Sequence, residues 1–329
     1  ATDPTAQVIH DCFDNDGKLV PFAPRSVLRR VCDLYAAEGL QPIVAPELEF
    51  YLTARNTDPN TLLKAPIGRS GRAETSRQAY SIDAVNEFDP LFEEIYDYCE
   101  KMELNVDTLI HEVGAGQMEI NFFHNKPLGL ADEVFFFKRT VREAALRHDM
   151  YATFMAKPME HQPGSAMHLH TSVVDVTDGH NLFANANGSD APLFRHFVGG
   201  LQGYLPALAP MFAPNVNSFR RMRPDHGAPI NVQWGSDNRS CGLRVPITDR
   251  HNRRVENRLP GADANPYLAM AATLVAGYLG MTEELEPSPK TSGNAYYFER
   301  TLPRSLEEAL ERFNDCDPVR ALLGDYFFR

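Results

Sequence analysis

The chain has 329 residues, and its 32 Lys and Arg against 44 Asp and Glu give a formal net charge of −12. That acidic excess argues against a surface built to grip a nucleic-acid backbone, which needs a basic footprint, and no apolar run approaches the roughly 20 residues of a membrane span. With 43% hydrophobic and 23% charged residues, the composition excludes a disordered chain and allows one large or two ordinary domains with a sizeable core.

The N-terminus, Ala1-Thr2-Asp3-Pro4, has no Met, no basic segment and no apolar signal core. It reads as a chain that starts mid-protein, or equally as one that has been processed. Residues 1–24 are read as a linker and 25–329 as a single domain. Val27, Leu28, Val31, Leu34 and Tyr35, closed by Gly39, predict an amphipathic helix. Ile43–Leu52 predicts a strand. Asp89-Pro90 pairs an N-cap residue with Pro at the first helical position and opens a helix through Leu91, Ile95, Tyr98 and Met102. Further helices are expected at about 129–148, from about Leu193 to Leu208, and after Asn265-Pro266. Period-two stretches at Met118–Phe122, Met167–Val174, Asn231–Trp234, Gly242–Ile247 and Arg254–Leu259 predict strands. Several lie too close together for βαβ crossovers, so the expected fold is α+β, an antiparallel sheet flanked by helices. Two Pro/Gly/polar stretches, about 54–75 and 178–192, predict mobile loops; a plain surface loop is favoured over a lid for the first. Five cysteines form no CxxC and leave an odd one, which fits a reducing, cytoplasmic setting.

The chemistry lies in which residues alternate. Side chains two apart on a strand share a face. Glu47 and Glu49 share one, as do Glu119 and Asn121, then His168, His170 and Ser172, then Arg254, Glu256 and Arg258. One such pair is the ordinary wet face of an antiparallel sheet. Four strands repeating it with Glu, His and Arg are less ordinary, because crowded carboxylates repel unless cations neutralise them. Oxygen ligands with one imidazole suit Mg²⁺ or Mn²⁺, and arginines on the same face suit phosphate or carboxylate ligands. Together these point to phosphoryl transfer. There is no GxxxxGK[ST], GxSxG or HExxH, so any ATP is held without a P-loop. Gly114-Ala115-Gly116 lacks the third glycine of a dinucleotide fingerprint.

Six segments, in order, resemble the glutamine synthetase superfamily: Pro46–Phe50 with His111–Glu119; Lys157-Pro158 with Gly164–His170; Asn217–Arg221; Asn238–Ser240 through Arg244–Pro246; Val255–Pro260; and Ala264–Tyr267. The resemblance implies one metal held by Glu49, Glu112 and Glu119 and a second held by Glu47, His168 and Glu256, which also meets the nucleotide phosphates. It implies that Arg221, Arg258 and the Gly164 backbone hold glutamate, and that Arg239, Arg244 and Arg258 act on the transferring phosphate. His170, Ser172, Arg244 and Arg254 would contact ATP. The implied reaction phosphorylates the γ-carboxylate of glutamate, and an amine then displaces phosphate to leave an amide.

Two departures matter. Ammonia-using members carry a PGxEAP flap whose glutamate binds and deprotonates ammonium; here the segment is Pro224-Asp225-His226-Gly227-Ala228-Pro229, which puts Gly227 in that place. Asp225 or His226 could substitute as base. The runs Asp237–Pro246 and Asn252–Pro266 look closer to γ-glutamylpolyamine synthetases, so the expected amine is a polyamine such as putrescine. The alternatives are an ammonia-dependent glutamine synthetase, a catalytically silent structural or regulatory relative, or a phosphotransferase that stops after phosphoryl transfer. Family members also carry an N-terminal β-grasp domain that completes a neighbouring subunit's site in a ring, a dodecamer by resemblance. This chain begins just before the catalytic domain, so that domain is expected to have been removed or left out.

Overall fold

The computed structural model describes residues 6–224 and 227–328. In chain order the main elements are α1 (Pro24–Ala37), β1 (Leu40–Ala54), α2 (Ile82–Asn86), α3 (Asp89–Lys101), β2 (Val106–His111), β3 (Gln117–Phe122), α4 (Pro127–Arg147), β4 (Met150–Thr153) and β5 (Met167–Asp175). They continue with α5 (Pro192–Tyr204), α6 (Ala209–Phe212), α7 (Val216–Arg221), β6 (Trp234–Ser236), β7 (Leu243–Val245), β8 (Val255–Asn257), α8 (Pro266–Thr282), α9 (Leu306–Asn314) and α10 (Asp317–Leu323). All eight strands form one sheet, ordered β2-β3-β1-β5-β8-β7-β6, with β4 paired to the end of β1. Every pairing is antiparallel except β6 with β7. The α+β architecture is thus the one expected, with one parallel pair at an edge.

Each strand of the sheet's centre turns one row of side chains to the helices. Leu48, Phe50 and Leu52 of β1, Met118 and Ile120 of β3, and Met167, Leu169 and Val173 of β5 are buried in one core with α1, α4 and α8. The helices α1, α4 and α5 all pack on α8. That central role explains why α8 is apolar nearly all round. Asn265 caps it by accepting from the Tyr267 and Leu268 amides. Gly277 and Gly280 interrupt its apolar run because neighbours come too close for a side chain. A Cβ on Gly280 would lie 2.5 Å from the Cα of Gly200 on α5.

One strand is displaced from its pattern and two are shorter than theirs suggest. Asn231 turns its side chain onto the Gln233 amide and the Ala295 carbonyl, so β6 starts only at Trp234. Pro246 cannot donate to a ladder and ends β7 at Val245. The ladder of β8 covers Val255–Asn257, leaving Arg254 and Arg258 as its flanks. The strands β2 and β4 and the helices α2, α6, α7, α9 and α10 lie outside the predicted elements, although α9 is amphipathic and is capped by Ser305, which accepts from the Glu308 amide. In the N-terminal stretch, Asp11 accepts from Arg25 and Arg29 at 2.6 Å each, which ties that segment to α1.

The largest difference is in the polar face. It is not wet: Glu49, Glu119, His168, His170 and Glu256 are all buried, Glu256 completely. Arg77 and Tyr80, then Pro163, Gly164 and Ala166, and Gly227, Ala228 and Arg239, from three irregular segments, line the space above it.

Candidate active site

The register sets the charges against one another. Glu49 of β1 lies opposite Glu119 of β3, Glu47 opposite His168 of β5, His170 opposite Glu256 of β8, and Glu256 opposite Arg244 of β7. Glu47, Glu49, Glu112, Glu119 and His168 line a cavity of about 420 Å³ together with Arg77, Tyr80, Gly164, Arg221, Gly227, Arg239, Arg244 and Arg258. Glu47 and Asn121 also line a second cavity of about 660 Å³, whose walls include Phe123, His124, His170, Ser172 and Arg254. Of the four residues expected to contact ATP, three therefore lie in the second cavity and Arg244 in the first.

The first cavity divides into two electrostatic regions. Around β5 and β8 the carboxylates have partners. Glu256 accepts from Arg244 at 2.5 Å and Arg258 at 2.6 Å. Burial opposes its ionisation, but Arg258, His168 and His170 outweigh that and hold its pKa near 2. Glu47 accepts from His170 Nε2 at 2.8 Å and His168 Nδ1 at 3.2 Å. These bonds outweigh burial and hold its carboxyl well below the usual range. Arg254 Nε reaches His170 Nδ1 at 3.1 Å. Since arginine only donates, His170 carries its hydrogen on Nε2, toward Glu47.

Glu49 of β1 and Glu119 of β3, in contrast, make no ion pair among the described residues, although Arg221 and Arg258 act on Glu49 from farther off. Glu119 is pushed up to about 10 by burial and by Glu47, Glu49, Glu112 and Glu256. Glu49 is pushed up to about 7 by burial and Glu112; its Oε2 accepts only from the Ala166 amide at 2.8 Å and Gln117 at 3.1 Å. Like charges directly opposite on a sheet are destabilising. A buried carboxylate pair without a cation is the environment a divalent ion would relieve.

The donor chemistry fits such an ion. One ligand atom each from Glu47, His168 and Glu256 lie within 4.8 Å of one another, and so do those from Glu49, Glu119 and His168. Burial and Arg258 depress His168 to about 4, so its imidazole is neutral at pH 7, as a ligand must be. Glu112 lines the cavity but falls outside both groups; its carboxylate accepts from the Val113 amide at 3.1 Å. The expected Glu49–Glu112–Glu119 set is thus brought together only in part.

The arginines differ in how committed they are. Arg221 is buried, and its two terminal nitrogens donate to the Leu259 and Arg258 carbonyls at 2.8 and 3.0 Å. It therefore braces the segment after Glu256 as well as lining the cavity. Arg239 is exposed and donates to Tyr80 Oη at 2.9 Å. Arg244 also reaches Asp237 at 2.8 Å. Gly164 is required by packing, since a Cβ there would lie 2.6 Å from both the Ala156 carbonyl and Arg221 Cγ. Gly227, at φ +82°, has nothing within 4 Å of a would-be Cβ. Asp225 and His226, the possible substitute bases, lie outside the described residues.

Sequence reasoning gave no role to Gln117, which joins Glu49, the Gly164 carbonyl, the Gly114 amide and Tyr51. It sits two residues before Glu119 on the same face, so the alternation could have flagged it. Tyr80 and Arg77 had no comparable signal, because they reach the mouth from an irregular segment.

The family model described as the glutamine synthetase catalytic domain matches residues 21–329. The chain is 38% identical to the γ-glutamylputrescine synthetase of Escherichia coli (strain K12), over 99% of this chain and 70% of that protein. It is 36% identical to a glutamine synthetase of Pyrococcus abyssi (strain GE5 / Orsay), over 95% of this chain and 70% of the relative. The solved structure of ligand-free GmaS superposes with a TM-score of 0.81 at 30% identity, covering 95% of this chain and 72% of that one. With its clustered carboxylates, buried imidazole and ring of arginines on that sheet, the chain belongs to the glutamine synthetase family of ATP-dependent glutamate–amine ligases.

Proposed function

We propose that the chain joins the γ-carboxylate of glutamate to a polyamine such as putrescine, with ATP consumed through a γ-glutamyl phosphate. In this reading Glu47, Glu49, Glu112, Glu119, His168 and Glu256 hold Mg²⁺ or Mn²⁺. The bound ions would supply charge neutralisation at the phosphoryl oxygens. Arg221, Arg258 and the Gly164 backbone orient glutamate in the first cavity, while His170, Ser172 and Arg254 face the nucleotide in the second. Arg239, Arg244 and Arg258 neutralise charge as the phosphoryl group moves. The burial of the face keeps water from the acyl phosphate.

The observation that carries the amine assignment is Gly227. It lines the cavity without a side chain and with open space beside it. It offers ammonium neither a charge partner nor a proton acceptor, and an unpaired buried cation costs several kcal/mol. A diamine can bury its alkyl stem there at about 0.8 kcal/mol per CH₂ and keep its second ammonium outside.

The test is glutamate-dependent phosphate release across an amine panel. Putrescine or a longer polyamine is expected to exceed ammonium in kcat/KM by at least about tenfold, or about 1.4 kcal/mol. Gly227→Glu should narrow the gap, with Gly227→Ala as the control for placing a side chain at positive φ, a strain of about 1–2 kcal/mol. A preference of the wild type for ammonium would make it a glutamine synthetase with an unusual flap.

A further inference from the structure

Among the described residues, one buried ionisable pair lies just outside the cavity and is not used by the chemistry above. His111, the last residue of β2, has a fully buried side chain, and Nε2 meets Glu74 Oε1 at 2.6 Å. Its Nδ1 meets the Glu112 carbonyl at 2.7 Å. A carbonyl only accepts, so Nδ1 carries a hydrogen and holds the backbone of Glu112. The His111 carbonyl in turn accepts from the Tyr80 amide at 2.8 Å. One residue is therefore gripped at both ends of a seven-residue segment, by the Glu74 side chain and by the Tyr80 backbone.

That segment then spreads over the cavity mouth. Arg77 donates to the His161 carbonyl at 2.7 Å, and Tyr80 Oη accepts from Arg239 at 2.9 Å. Both Arg77 and Tyr80 line the first cavity, whereas Glu74 does not. The segment's other anchor is the Glu74 amide on the Pro66 carbonyl, and Pro66 packs so closely on Gly116 that a Cβ there would lie 2.8 Å away. Burying an imidazole against a carboxylate costs desolvation that an apolar pair would avoid. What the pair adds is direction, since a charge-assisted bond fixes where both partners point.

We propose that Glu74 is a positioning residue: through His111 it locks residues 74–80 to Glu112, so that the cover of the cavity and one of its carboxylates keep their places together. The inference rests on the ligase reading for the use made of the cavity and for counting Glu112 among the metal ligands.

The test compares Glu74→Leu, which keeps bulk but removes the bond, with Glu74→Gln, whose amide can still donate to His111 Nε2. Hydrogen exchange over residues 74–81 and Mn²⁺ titration followed by electron paramagnetic resonance are read without turnover, alongside kcat and KM. Glu74→Leu should exchange faster over 74–81 and bind Mn²⁺ about tenfold more weakly, the range typical of an outer partner of a ligand, and Glu74→Gln should restore both. His111→Gln covers the case in which Glu74→Leu does not fold. It loses the hold on the Glu112 carbonyl and should weaken Mn²⁺ by a similar factor. Wild-type Mn²⁺ affinity in His111→Gln, or in a folded Glu74→Leu with unchanged exchange, overturns the proposal. So does a Glu74→Gln variant as impaired as Glu74→Leu. A wild type that binds Mn²⁺ and shows these changes but forms no amide would remove the ligase reading and leave the lock standing.

Discussion

Glu256 and Glu119 are both buried glutamates on one face of one sheet, on the strands that flank the β1–β5 pair, yet they sit in opposite electrostatic states. Glu256 is clasped by Arg244 and Arg258 and held near pKa 2. Glu119 faces Glu49 across the ladder with no cation and is pushed up to about 10. The β5–β8 side carries its own ion-pair partners, whereas Glu49 and Glu119 on the β1–β3 side make no ion pair among the described residues. Like residues in like burial therefore do unlike work, and the difference lies in what the register places opposite.

The comparison breaks most sharply if Glu119 is dispensable. Glu119→Ala should lower amide formation on the order of a thousandfold, equivalent to several kcal/mol of lost charge stabilisation. Its fold should survive, because the deletion removes a buried carboxyl that folding forces to hold a proton. Near-normal turnover by that variant in Mg²⁺ would mean that the β1–β3 side is not a metal site.

Next in size is the stability contrast. Glu256→Gln strips a buried charge partner from two arginines and should cost about 3 kcal/mol in metal-free urea unfolding. Glu119→Gln, which removes a carboxyl that must take up a proton to stay buried, should match or exceed the wild type under the same conditions. Equal losses in both variants would erase the distinction between the two regions.

The smallest effect is a pH dependence of opposite sign in the two regions. A raised carboxyl pKa means that the folded chain keeps a proton the unfolded chain has lost, so metal-free stability should fall as pH rises above the ordinary 4.5 and on through about 7, where Glu49 titrates. Glu256 has a depressed pKa, and its contribution is lost only as pH falls from 4.5 toward about 2. Without metal, melting temperature should therefore decline between about pH 5.5 and about pH 8, and added Mn²⁺ should raise it more at the higher pH. A metal-induced rise that is the same at both would tell against the Glu49–Glu119 pair as the site of that effect.

Much of this was legible beforehand because period-two alternation is a local property. Glu47 with Glu49, His168 with His170, and Arg254 with Glu256 and Arg258 could be put on shared faces from spacing alone, and the six ordered segments pointed to the family. Irregular segments had no such handle. Tyr80 and Arg77 reach the mouth from a stretch without periodicity, and Glu74 meets His111 across 37 residues of chain. Asn231 displaced one strand through a local side-chain bond, and Pro246 shortened another through a missing donor.

The sequence by itself determined which residue types sit on which side of each strand, and that acids, imidazoles and arginines share a face. Those follow from backbone geometry and from identities read one at a time. Only the tertiary structure decided that the face is buried, that Glu49 opposes Glu119 while Arg244 opposes Glu256, and that Arg221 is largely occupied with backbone carbonyls. Register, burial and pairing are relations between segments far apart in the chain, and they set whether a carboxylate is satisfied or strained.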